Sequence, residues 1–214
     1  MVDKIIMDVS RWQGSIKWDQ VKASGKVDGV MLRALGTSNG KPYIDPTFEA
    51  NYKGCTENGI PVGVYYYSTA RTHCAADREL AMLHGVLSGK VLGLPVAVDI
   101  EDAALSKLSK QTLTDLTAYA LNEIQSWGVY AILYTGLNFA QNHLYMTGAA
   151  LKPFDVWLAA YRNNKPAPGW PFGMWQYTDS GTVPGVEKGV DLSRAYKGYT
   201  TIIRKKGLTR LKGA

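Results

Sequence analysis

Leu94-Pro95-Val96-Ala97-Val98-Asp99-Ile100-Glu101-Asp102 is the stretch from which the rest of the chain is best read. Its first half is apolar and β-branched, contains a proline near its start and shows no 3.6-residue period. That is the pattern of a strand buried on both faces. The second half ends abruptly in acids. Alternate strand residues share a face and rise about 3.3 Å each, so Asp99 and Glu101 should project the same way, roughly 6–7 Å apart along the backbone. Two carboxyls crowded at the mouth of a buried strand raise one pKa, which suits acid catalysis. A strand running out into solvated loop acids would read the same over this stretch alone.

Working outward, seven more apolar or β-rich segments recur: Ile5–Val9, Val30–Leu35, Pro61–Tyr67, Tyr130–Tyr134, Val156–Tyr161, Met174–Tyr177 and a short Val190–Asp191. The first five starts lie roughly 24 to 35 residues apart, which leaves room for a helix in each gap. The last starts lie about 17 apart, room only for loops or a single turn. Helices are expected over Trp18 to Gly25, after an Asp45-Pro46 cap, over 74–87, from Ser109 to Trp127, and about 138–146. Strand–helix alternation implies parallel pairing through right-handed crossovers. The reading is α/β: a TIM-like barrel of about five βα units followed by three strands with few helices. An open doubly wound sheet is the alternative. Residues 1–198 form one domain, and Asn163-Asn164-Lys165-Pro166-Ala167-Pro168-Gly169 is expected as a loop over the barrel mouth.

Composition narrows the class. At 214 residues and 46% hydrophobic content the chain can bury one large core, and no apolar run reaches a membrane span. Five of the 24 basic residues and no acid fall in 199–214, so a near-neutral body carries a basic C-terminal tail, expected to be frayed or to hold anionic polymer. A nucleic-acid face and membrane insertion are not expected, and a monomer is. The N-terminus lacks the apolar core of a secretory signal, so synthesis in the cytoplasm and later release is expected. Cys55 and Cys74 read as small buried hydrophobes, and neither cysteine nor histidine spacing suggests a metal site or cofactor. His73, His84 and His143 fall away from the strand ends, leaving a Ser/His/Asp triad without an anchor.

In such barrels the working residues sit at the C-terminal ends of strands. Those ends supply Asp8, Arg33, Tyr65 and Tyr67, Asp99 and Glu101, Tyr134, Tyr161, Gln176 and Asp191. Four acids therefore converge on one rim. Trp12, Trp157, Trp175 and Tyr177 add aromatic faces, and acids beside aromatics are the profile of a sugar cleft. Tyr65 and Tyr67 share a face, so Tyr66 should turn to the core.

These residues resemble glycoside hydrolase family 25, the lysozymes of phage-endolysin and bacterial-autolysin type. The markers run in order from about Ile5 to Arg194: Met7-Asp8-Val9-Ser10-Arg11-Trp12-Gln13-Gly14, Asp45-Pro46-Thr47-Phe48, Gly63-Val64-Tyr65-Tyr66-Tyr67-Ser68, Val98-Asp99-Ile100-Glu101-Asp102, Trp157-Leu158-Ala159-Ala160-Tyr161, Met174-Trp175-Gln176-Tyr177 and Val190-Asp191-Leu192. The resemblance implies a flattened barrel. It implies hydrolysis of the β-1,4 bond between N-acetylmuramic acid and N-acetylglucosamine in peptidoglycan glycan strands. Glu101 matches the general acid, Asp99 the acid that orients the substrate acetamido group, and Asp8 and Asp191 the remaining acids. Tyr65, Tyr134, Trp157, Tyr161 and Gln176 fall where the family lines its groove. Leu35-Gly36-Thr37 departs from the family, which usually places an acid or aromatic before that glycine. A catalytically inactive glycan-binding barrel and a chitinase-like enzyme are the other readings.

Overall fold

The computed structural model describes residues 3–212. Eight strands close on themselves: β1 (Lys4–Val9), β2 (Gly29–Ser38), β4 (Val62–Tyr67), β5 (Val96–Asp99), β6 (Ala131–Gly136), β7 (Asp155–Ala159), β8 (Met174–Gly181) and β9 (Val190–Ala195), which pairs back to β1. They are the eight segments expected from the apolar runs. A ninth strand, β3 (Lys41–Ile44), hangs outside the closed set on β2. Its hairpin turns through Asn39 (φ 51°) and Gly40 (φ 70°), the paired positive φ that a two-residue turn joining twisted strands demands.

Within the closed set, neighbours from β1 to β8 run parallel, but β9 is antiparallel to both β8 and β1, as the outlying β3 is to β2. This corrects the all-parallel expectation. Only residues 182–189 separate β8 from β9, too few for a crossover of a dozen or more residues, so the chain simply turns back. The consequence is functional: Asp191 reaches the active rim from the start of its strand, not from its end.

Alternation along each strand sorts the side chains into two cores. Ile6, Met31, Ala97, Ile132, Trp157, Met174 and Ala195 fill the barrel interior. Met7, Leu32, Val64, Tyr66, Val98 and Leu133 face outward and pack beneath the helices. Those helices are α1 (Trp18–Ser24), α2 (Phe48–Glu57), α3 (His73–Leu87), α4 (Lys110–Ser126) and α5 (Leu137–His143). Ser109 caps α4, its Oγ accepting from Thr112 N at 3.1 Å, and Gly25 ends α1 at φ 61°. The expected Asp45 cap is displaced: α2 opens at Phe48, and the Asp45 carboxyl instead binds the Thr47 N–H and hydroxyl in the preceding turn.

Three further expectations change. Residues 199–205 are not a frayed tail but a helix, α6 (Tyr199–Lys205), whose Tyr199 and Ile203 are buried in the interior core. Tyr199 Oη donates to Asp155 Oδ2 at 2.8 Å, and Lys197 Nζ lies 2.9 Å from the same oxygen, so the barrel floor is closed by this segment. Residues 163–169 do not cover the mouth: Lys165 Nζ sits 3.7 Å over the Tyr196 ring, just past the end of antiparallel β9 at the floor. Cys55 is buried as expected, whereas Cys74 is exposed, and both are free.

Truncating Ile203 to alanine removes buried volume from a packed floor and should cost about 2–5 kcal/mol. Urea unfolding of Ile203→Ala checks this; a peripheral tail would leave the midpoint unmoved.

Candidate functional site

At the rim opposite α6, the inward positions of the strand ends enclose a cavity of about 260 Å³. All eleven residues expected from sequence line it. The acids Asp8, Asp99, Glu101 and Asp191 come from β1, the end of β5 and its extension, and the start of β9. The Ile100 N–H donates to Tyr134 O at 3.0 Å, which keeps the chain extended past Asp99 and carries Glu101 to the same side.

Asp8 and Asp191 are directly opposed across the β1–β9 pair. Burial, then the nearby Asp191 charge, pushes the Asp8 carboxyl well up. Asp191 is raised by burial, with the Asp179 charge adding to it and its contact with Asp8 pulling the other way. Gln176 fixes the neighbourhood. Its Nε2 donates to Asp8 Oδ2 (3.1 Å), and its Oε1 accepts from Tyr134 Oη (2.9 Å) and Tyr161 Oη (3.1 Å).

Asp99 is 4% exposed, and its Oδ1 has no hydrogen-bond partner. Burial, then the charges of Glu101 and Asp8, holds its carboxyl well above the usual range, with Arg33 pulling the other way. Glu101 is the open member of the set. Desolvation within the cleft, then the charges of Asp191 and Asp102, raises it too.

The other lining residues play unlike parts. Trp157 is 1% exposed, donates from Nε1 to Ser193 Oγ at 2.9 Å, and meets the Tyr134 ring edge-on at 4.6 Å. It is therefore floor, not a stacking face. Tyr65 and Tyr67 turn inward while Tyr66 joins the outer core, as alternation requires. Tyr67 Oη donates to Asp102 Oδ2 at 2.8 Å, which ties the end of β4 to the loop after Glu101. Arg33 faces the cleft but is already committed: Nε donates to Asp45 Oδ2 at 2.7 Å. Burial would raise Asp45, but its hydrogen bonds from Thr47 and Arg11 and the Arg33 charge outweigh it and hold that carboxyl low.

Sequence reasoning named Trp12 as an aromatic face but did not assign Ser10 or Gln13, and all three line the cavity from the turn after β1. The signal was a Ser-x-x-Gln box: Gln13 Oε1 accepts from Ser10 N at 2.9 Å. That turn holds Trp12 out, 62% exposed, with the Arg11 guanidinium 4.8 Å from its ring. Glu79 was missed as well. Buried in α3, it accepts from Ser68 Oγ (2.6 Å) and Thr69 N (3.1 Å) and anchors the loop behind Tyr67.

A barrel with a proton-holding acid cluster and aromatic walls at one rim is built as glycosidases are. The chain belongs to glycosyl hydrolases family 25, whose model matches residues 7–186. It is 29% identical over 192 residues to an autolytic lysozyme of Clostridium acetobutylicum, a match that covers 90% of this chain and spans 56% of the relative's length. The bacterial lysozyme of Streptomyces coelicolor has the same fold (TM-score 0.80, 23% identity, 98% of each chain). The modular autolysin LytC of Streptococcus pneumoniae, solved with a synthetic peptidoglycan ligand, is also similar (TM-score 0.78, 26% identity, 91% of this chain and 47% of that one).

The raised acids make a signed prediction. A carboxyl whose folded pKa lies above its unfolded value of about 3.9 favours the native state at low pH and loses that contribution as pH rises through the folded value. Asp99→Asn should therefore raise the melting temperature at pH 7 by a few degrees, with the gain shrinking toward pH 4. Thermal melts of both proteins from pH 4 to 8 measure it.

Proposed function

We propose that this chain cleaves the β-1,4 bond between N-acetylmuramic acid and N-acetylglucosamine in bacterial peptidoglycan. Glu101 is the general acid and Asp99 assists through the substrate's 2-acetamido group. The observation that carries the reading is the pair itself: an open glutamate with a raised pKa beside a buried aspartate whose Oδ1 lacks a donor. The family and the peptidoglycan ligand seen in LytC support the substrate class.

Protonated Glu101 donates to the glycosidic oxygen as that bond breaks. The acetamido oxygen attacks the anomeric carbon, and its N–H, acidified as positive charge develops, is held by Asp99 Oδ1. Substrate assistance is an established exception to the two-carboxylate scheme. Glu101, now a carboxylate, takes the proton of the water that opens the cyclic intermediate. Acid catalysis contributes about 10²–10⁴-fold, and the remainder must come from charge fixed in a site with little water. The Asp8–Asp191 pair and the Gln176 network supply such fixed groups. Trp12, an exposed aromatic of the rim, is a stacking face for a sugar ring.

Glu101→Gln should lower clearing of cell-wall suspensions at least about 10³-fold while thermal unfolding stays cooperative. Clearing at the wild-type rate would refute the assignment. Borohydride reduction of the products should give reduced muramic acid ends, and chitin oligomers should stay uncut. Because the acid must carry its proton, wild-type kcat should fall as pH rises through the Glu101 pKa, which a pH–rate profile reads directly.

A further inference from the structure

Beside the acid cleft opens a second and larger cavity, about 570 Å³, which shares Glu101 and Tyr161 with it. It lies between the ends of β6 and β7, where Gly136, Ala159 and Ala160 leave space and Phe139 forms an apolar wall. Arg162 stands exposed at its edge and makes no ion pair among the described residues.

Its chemistry is unlike that of the cleft. The cleft offers carboxyls, phenols and an amide, a set that suits hydroxyl-rich rings. Apart from the shared Glu101 and Tyr161, the second cavity offers mostly apolar surface, the Asn138 amide and one cation, Arg162, with no ion pair among the described residues. Peptidoglycan has a matching group next to the bond cleaved: muramic acid carries, on its lactyl ether, a short peptide of small side chains and carboxylates. The lactyl ether is on C3 of the ring whose C1 carries the scissile oxygen, so the stem leaves the same sugar whose bond is cleaved, and the two cavities meet at Glu101 and Tyr161.

We propose that this cavity takes the anionic stem peptide of N-acetylmuramic acid. Its small side chains lie against Phe139 and Ala160, and a stem carboxylate pairs with the Arg162 guanidinium. The assignment rests on the muramidase reading of the same site. It makes the enzyme selective for stem-bearing glycan through binding, not through the chemical step.

The test offers the whole chain two polymers, glycan strands with their stem peptides and the same strands stripped by an amidase, and counts new reducing ends. Wild-type kcat/KM should favour the stem-bearing strand by roughly tenfold, the scale of one charge-assisted contact. Arg162→Glu should bring that ratio close to one, chiefly through KM, and Arg162→Lys should keep part of it. Gly136→Leu gives an independent check: a Cβ there meets nothing within 4 Å and the backbone is ordinary (φ −71°), so the side chain fills the cavity without strain. It too should depress the stem-bearing rate more than the stripped one. Equal wild-type rates on the two polymers, or a ratio that survives both Arg162→Glu and Gly136→Leu, would overturn the stem-peptide site and leave the muramidase reading intact. A wild type inert on both would refute the muramidase reading and this one together.

Discussion

Closure of the sheet is the constraint from which the site follows. Once β9 pairs with β1, every inward position at the rim points toward one axis, and residues far apart in the chain must share a small, poorly hydrated space. Asp8 and Asp191 are separated by nearly the whole chain yet are direct partners across two strands. Their proximity is a matter of register, and a one-residue slip would send either to the outer core.

Crowding acids in such a space works against folding, since each buried anion is disfavoured by desolvation and by its neighbours. The cluster relieves the cost without cations. Burial and the Asp191 charge raise the Asp8 carboxyl, Gln176 donates its amide to Asp8, and two phenols fix the amide orientation. Asp99 is left without such relief at Oδ1, and Glu101 opens to solvent. Asp99 and Glu101 are thus the acids of the cluster least satisfied by the protein, as expected where a functional site competes with stability.

Much of this was legible in the sequence, for identifiable reasons. Most of the barrel strands, β1 to β7 without β3, carry apolar runs because both faces are largely buried, and period-two alternation placed Tyr65 and Tyr67 inward and Tyr66 outward. Strand direction was not legible, because an apolar run looks the same in either sense; only the short 182–189 connection distinguished β9. The Asn39-Gly40 pair announced a hairpin that the search for buried runs passed over, since β3 is half-exposed and carries no such run. Helix α6 was hidden by charge: Arg204, Lys205 and Lys206 follow the buried Tyr199 and Ile203, so a floor plug read as a basic tail. The commitment of Arg33 to Asp45 is a tertiary contact that no local pattern reports.

The two ends of the barrel bury acid in opposite ways, and the contrast bears on what the rim is for. At the floor, Asp155 is neutralised by Lys197 and hydrogen-bonded by Tyr199, an arrangement that asks nothing of any ligand. Asp45, near the rim, is matched just as fully by Arg33, Thr47 and Arg11. Yet the four cleft acids have no lysine or arginine within ion-pairing distance among the described residues, in a chain with 24 such residues against 18 acids. Scarcity of cations therefore does not explain the unpaired cluster. A matched cation would drive each carboxyl toward its anion and lower its pKa. Keeping cations on Asp45 and Asp155 while withholding them from Asp8, Asp99, Glu101 and Asp191 leaves those four carboxyls raised, and the packed interior between floor and rim offsets the cost.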